Sequence, residues 1–228
     1  MLDIKQNLEN VRNRIRKAES EYGREADAVS LIAVSKTKPV ELIQAAIDVG
    51  QVIFGENYVQ EAVQKIEQIN NPALEWHFLG PIQSNKTRVI AANFAWVHSV
   101  DRLKIAQRLN EQRSKNLPKL NVCLQVNISE EDTKSGINVN ELSSLVESVL
   151  GLSNIELRGF MVIPQKSSSL EEQRKPFAAM RQAKEDIEQQ FNITLDTLSM
   201  GMSADLEAAI AEGASHVRIG TDIFGARE

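Results

Sequence analysis

The chain has 228 residues, 42% of them apolar and 25% charged, with a formal charge of −5 and a single cysteine. That balance excludes a disordered or membrane-embedded chain, the length suits one α/β barrel, and the negative charge argues against a nucleic-acid stripe. One cysteine cannot form an internal disulfide, no stretch approaches the roughly 20 apolar residues of a membrane span, and the start MLDIKQNLENVRNRIR mixes charges where a signal peptide has an apolar run, so a cytoplasmic protein is expected.

The pattern opens with a helix. Ile4, Leu8, Val11, Ile15 and Ala18 recur at spacings of three and four behind Asp3, a candidate cap, and Gly23 ends the run. Arg12, Arg14, Arg16 and Lys17 read as its solvated face. Eight short apolar runs follow, with helical patterns between them: VSLIAV (29–34), VIFG (52–55), EWHFLG (75–80), FAWVHS (94–99), NVCLQVN (121–127), ELRGFMVI (156–163), LDTLSM (195–200) and HVRIG (216–220). Aliphatic and β-branched runs without polar alternation suit parallel strands covered on both faces, and their alternation with helices reads as consecutive βαβ units. Eight of them predict a single-domain (β/α)8 TIM-like barrel over residues 1–228, with the N-terminal helix as an extra element in the eighth outer position. A Rossmann-like sheet is the weaker reading, because no G-x-G-x-x-G follows any strand. Cys123 reads as a core residue, and the segment PQKSSS (164–169) as a strand-to-helix loop.

In such barrels the working residues sit at the C-terminal strand ends, with phosphate often held after the last two strands. Those ends offer Lys36; Gly55, Glu56 and Asn57; His77; His98; Asn127; Gly201, Met202 and Ser203; and Arg218, Ile219, Gly220 and Thr221. Lys36 follows LIAVS directly; desolvation there would favour the free amine that Schiff-base formation with an aldehyde needs. A surface lysine beside a helix start is the other reading, and Lys38 before Pro39 fits that role better. Ser203 is either part of an anion site or an ordinary N-cap of the helix ADLEAAIAE, whose Asp205 and Glu207 already suit the helix dipole. Gly220 would let a phosphate approach the backbone, Thr221 adds a hydroxyl and an N–H, and a buried Arg218 calls for an acceptor. The three histidines lack metal-ligand spacing, so no metal site is expected; His77 and His98 are placed at the barrel mouth and His216 is read as structural.

The segments AVSKTKP (33–39), FGENYVQE (54–61), WHFLGPIQSNK (76–86), KSGI (134–137), RGFM (158–161), LSMGMSADLEAAI (198–210) and VRIGTDIFGAR (217–227) together make the chain resemble the YggS/PROSC family of proteins that bind pyridoxal 5′-phosphate (PLP) and maintain its homeostasis. The resemblance spans nearly the whole chain. It implies a barrel like the N-terminal domain of alanine racemase with no second domain, and a monomer. It also implies that Lys36, rather than Lys38, carries PLP as a Schiff base, that Arg218 faces the pyridine nitrogen, that Ser203 with the backbone of Gly220 and Thr221 holds the phosphate, and that Asn57 lines the pocket. The implied role is to store, buffer or deliver PLP, with PLP-dependent apoenzymes as acceptors and indirect effects on amino-acid and keto-acid metabolism.

Departures from alanine racemase bear on catalysis. No AYGHG-like stretch follows Lys36, and the tyrosine base of the racemase C-terminal domain has no counterpart before Glu228; Tyr58 reads as a helix-face residue. An arginine opposite the pyridine nitrogen leaves that nitrogen unprotonated and weakens the ring as an electron sink. The expectation is a PLP-binding protein with no catalytic residues. A low-activity PLP-dependent racemase is the alternative, and a Schiff-base aldolase acting on a phosphorylated sugar a more distant one. Lys134, in EEDTKSGI, is either a second amine that receives PLP from Lys36 or a solvated lysine beside Glu130, Glu131 and Asp132.

Overall fold

Asp3 caps the first helix, its carboxylate accepting the Gln6 N–H at 2.9 Å. The computed structural model describes residues 3–128 and 135–226; Lys134 with its acidic neighbours, and Glu228, lie outside the described residues. Helix α1 (Ile4–Glu21) buries Ile4, Leu8, Val11, Ile15 and Ala18, the stripe that its spacing predicts. In chain order there follow β1 (Ser30–Val34), α2 (Val40–Ile47), β2 (Ile53–Glu56), α3 (Val59–Ile69), β3 (Glu75–Phe78), α4 (Thr87–Asn93), β4 (Trp96–Val100), α5 (Leu103–Gln112) and β5 (Leu120–Asn127). The second half runs β6 (Ile137–Asn138), α6 (Val139–Leu150), β7 (Ile155–Val162), α7 (Leu170–Phe191), β8 (Thr197–Ser199), α8 (Leu206–Ala211), β9 (His216–Ile219) and α9 (Thr221–Phe224).

Every strand pairing is parallel. The order β4-β3-β2-β1-β9-β8-β7-β5 closes by pairing β4 with β5, giving the expected eight-stranded barrel. The two-residue strand β6 lies beside β5 outside the ring, in a segment too short to show an apolar run. Because α9 is a single turn, the eighth outer position is left to α1, which packs against α2, α8 and α9. Among the described residues no helix is long and apolar enough to cross a membrane.

The core has two parts. A large apolar layer, aliphatic and aromatic, fills the space between barrel and helices, and a smaller cluster of Trp96, Cys123 and Met161 fills the inside of the ring. His77 and His98 belong to this inner filling and not to the mouth. Both are fully buried, their rings stack 5.0 Å apart, and Nδ1 of His77 lies 2.8 Å from Nε2 of His98. The reason is strand length: His77 lies within β3 and His98 within β4, so neither has passed its strand end. His216 opens β9 and packs against Trp96 at 5.3 Å.

Candidate cofactor-binding site

A cavity of about 360 Å³ opens at the C-terminal ends of the strands, within the size range of small-molecule sites. Lys36, Asn57, Ser203, Arg218, Gly220 and Thr221 all line it. They arrive from four places in the ring: two residues past β1, one past β2, the loop after β8, and the end of β9. His77, His98 and Asn127 are not in the lining. Met202 supplies apolar wall together with Leu79 and Met161, which the strand-end reading passed over, and Lys166 brings a second amine from the loop after β7. The segment 164–169 reads in sequence only as a connector, yet every strand-to-helix loop of such a barrel borders the mouth.

Two glycines set the walls. A Cβ on Gly80 would lie 2.1 Å from the Asn57 carbonyl oxygen, so only glycine lets the loop after β3 press against the loop after β2. That contact seats Asn57, whose Oδ1 is buried with no hydrogen-bond partner among the described residues. A Cβ on Gly220 would come within 3.2 Å of the Val34 carbonyl oxygen, so the turn after β9 packs on the end of β1, beside the lysine loop.

The lysine loop is braced from behind. Thr37 takes a left-handed backbone (φ 61°), an uncommon geometry for a β-branched residue, and its N–H donates to Glu61 Oε1 at 2.6 Å. Lys65 spends its three protons on the Ser35 carbonyl (2.7 Å), Glu56 Oε1 (2.7 Å) and Glu61 Oε1 (2.5 Å). Ser35 Oγ also donates to Glu56 Oε1 at 2.7 Å. Both Lys65 and Glu56 are buried, and burial raises the Glu56 carboxyl above its ordinary value against the pull of the Lys65 ammonium. Lys38 leaves in another direction, its ammonium donating to the Ala226 carbonyl at 2.6 Å, and it is absent from the cavity lining.

At the opposite wall Ser203 is not a helix cap. Helix α8 starts at Leu206 with Asp205 in the cap position, and Asp205 Oδ1 accepts the Met202 N–H at 2.6 Å. Arg218 is buried, donating to Ser199 Oγ (2.9 Å) and the Val162 carbonyl (3.0 Å). Among the described residues no carboxylate reaches ion-pair distance of it. Burial lowers its guanidinium to about 10, opposed by the charge of Asp205. Arg218 therefore stays cationic at neutral pH, a donor-only group suited to an acceptor or anion. The arginines of α1 are not simply solvated. Arg12 donates to the Val49 carbonyl and to Gln51, and Arg14 to Glu207, Asp222 and the Ser203 carbonyl.

Known proteins share this fold. Residues 6–228 match the family described as alanine racemase, N-terminal domain. A pyridoxal phosphate homeostasis protein of Pseudomonas aeruginosa is 54% identical over 228 residues, covering 100% of this chain and 97% of that one. The structure of PipY from Synechococcus elongatus with PLP bound superposes with a TM-score of 0.85 at 36% identity, over 97% of this chain and 100% of that one. An alanine racemase of Clostridium difficile shares the fold at a TM-score of 0.75 and 19% identity, over 98% of this chain and 56% of that one. The chain belongs to the alanine racemase N-terminal domain family and, within it, to the pyridoxal phosphate homeostasis proteins.

Proposed function

We propose that this protein binds PLP as a Schiff base on Lys36 and acts in PLP homeostasis, holding the cofactor for storage, buffering or delivery to PLP-dependent apoenzymes. The observation that carries this is the gathering of a lysine, a hydroxyl–glycine–threonine corner and a buried arginine around one cavity from separate strand ends. Ser203 and the backbone of Gly220 and Thr221 hold the phosphate. Arg218 can only donate, so it faces the acceptor nitrogen of the pyridine ring, and the unpartnered Oδ1 of Asn57 takes a donor from the ligand. When bound, PLP supplies an aldehyde for the amine and a ring able to withdraw electrons; a donor-only neighbour at the ring nitrogen restrains the latter.

The protein is a carrier without turnover. Among the described residues no tyrosine or histidine lines the cavity to serve as a second acid–base group. Its working form is a one-domain cytoplasmic monomer, a reading supported by the single closed sheet and by a lone cysteine kept buried.

Borohydride reduction of the purified, PLP-loaded protein tests the assignment. Before reduction the wild type and Lys38→Ala should show the visible band of the Schiff base, which borohydride abolishes as it fixes the label covalently; Lys36→Ala should show neither band nor label. A colourless, unlabelled Lys38→Ala beside a labelled Lys36→Ala would reverse it. Exchange of the α-proton of L-alanine in deuterated water at ordinary enzyme rates, about 1–10³ per second, would favour a racemase instead.

A further inference from the structure

Arg14 stands on α1, outside the barrel, and its guanidinium is almost entirely engaged. Nε and Nη2 grip Glu207 at 2.8 and 3.0 Å, Nη1 reaches Asp222 at 2.8 Å, and Nη2 also donates to the Ser203 carbonyl at 3.0 Å. Those partners sit on the two segments that form the phosphate corner. Ser203 belongs to it, Asp222 directly follows Thr221, and Glu207 lies four residues beyond Ser203. The Arg14 side chain is 35% exposed, so as a stabilising surface ion pair it is worth little. α1 is held in any case by its buried stripe of Ile4, Leu8, Val11 and Ile15.

The placement matters more for charge. Two carboxylates held by the same guanidinium that holds the Ser203 carbonyl would repel a phosphate dianion bound at this corner, an interaction that salt screens. One guanidinium pairs with both, offsetting half of their charge, and pins the Ser203 backbone at the same time. We propose that Arg14 is a positioning residue for phosphate recognition: by offsetting the charge of Glu207 and Asp222 behind Ser203 and Thr221 and holding the Ser203 carbonyl, it makes the cavity select a phosphorylated ligand over its dephosphorylated form. This rests on the PLP-binding reading above.

The test is a pair of titrations, PLP and pyridoxal, on the full chain at low and physiological salt. Arg14→Gln should weaken PLP about tenfold or more, leave pyridoxal within twofold, and show the larger loss at low salt. Adding Glu207→Gln and Asp222→Asn to it should return PLP affinity to within about threefold of the wild type. With Arg14 kept, Glu207→Gln and Asp222→Asn together should tighten PLP severalfold, a gain that a merely structural role does not give and that is readable even if Arg14→Gln fails to fold. PLP affinity unchanged in Arg14→Gln, or an equal loss for both ligands, overturns the inference. A wild type that binds PLP and pyridoxal equally well would remove the phosphate corner itself, whereas a discriminating wild type beside an equally discriminating Arg14→Gln refutes Arg14 alone.

Discussion

At the residue scale the trio of buried Glu56 and Lys65 with half-buried Glu61 stands out, because its charges serve the lysine loop. Lys65 is 5% exposed and Glu56 fully buried, so each has lost its water and depends on the other. Removing one partner leaves an uncompensated charge. Lys65→Met is expected to cost about 3–5 kcal/mol in urea unfolding, with Lys65→Met/Glu56→Gln recovering much of it. The same variant frees the Ser35 carbonyl and loosens the backbone on either side of Lys36, so borohydride labelling at Lys36 should slow in folded protein. A stability equal to that of the wild type would mean that the trio is solvated in practice.

At the element scale the site depends on loops packed against one another. The loops after β2 and β3 meet at Gly80, and the turn after β9 meets the end of β1 at Gly220. A methyl group at position 80 would drive into main chain, which cannot rotate away as a flexible side chain could. Gly80→Ala should therefore cost about 1–3 kcal/mol by overpacking and also weaken PLP binding by displacing Asn57. Gly151→Ala is the matched control: its new methyl would meet nothing closer than the Ser148 carbonyl at 3.7 Å, so both properties should hold. Equal effects at the two positions would dissociate the packing of these loops from the site.

Across the whole molecule the inside of the ring carries a pH dependence. His77, His98 and His216 all have their pKa lowered, chiefly by burial, His216 to about 4. Unfolded, each titrates near the ordinary histidine value of about 6.5, so acid protonates the unfolded chain first. The folded state keeps its full stability above that value and loses it as pH falls from about 6.5 toward 4. His216 by itself accounts for on the order of 3 kcal/mol across this window. Urea unfolding at pH 7.5 and 5.0 should give a clearly lower free energy at the acid point, and His216→Gln should flatten the difference. A wild type equally stable at both would show that the ring interior admits water.

The barrel and the residues lining its cavity were legible in the sequence because both rest on local patterns. Eight unalternated apolar runs specify buried parallel strands, and a strand's C-terminal end can be read from where its run stops. That places Lys36, Asn57, Ser203, Arg218, Gly220 and Thr221 at one mouth before any contact is known. The remainder depends on partners far apart in the chain. Arg14 and Glu207 are separated by 193 positions, so sequence alone reads Arg14 as solvated where the structure makes it a clamp. Ser203 loses its cap role only because the turn ahead of α8 delays the helix until Leu206. For His77 and His98 the deciding quantity is where β3 and β4 end: an error of one or two residues moves a side chain between mouth, ring interior and helix-facing layer, since successive residues point to opposite faces. Periodicity fixes which segments are strands; only closure of the ring fixes what each inward side chain meets.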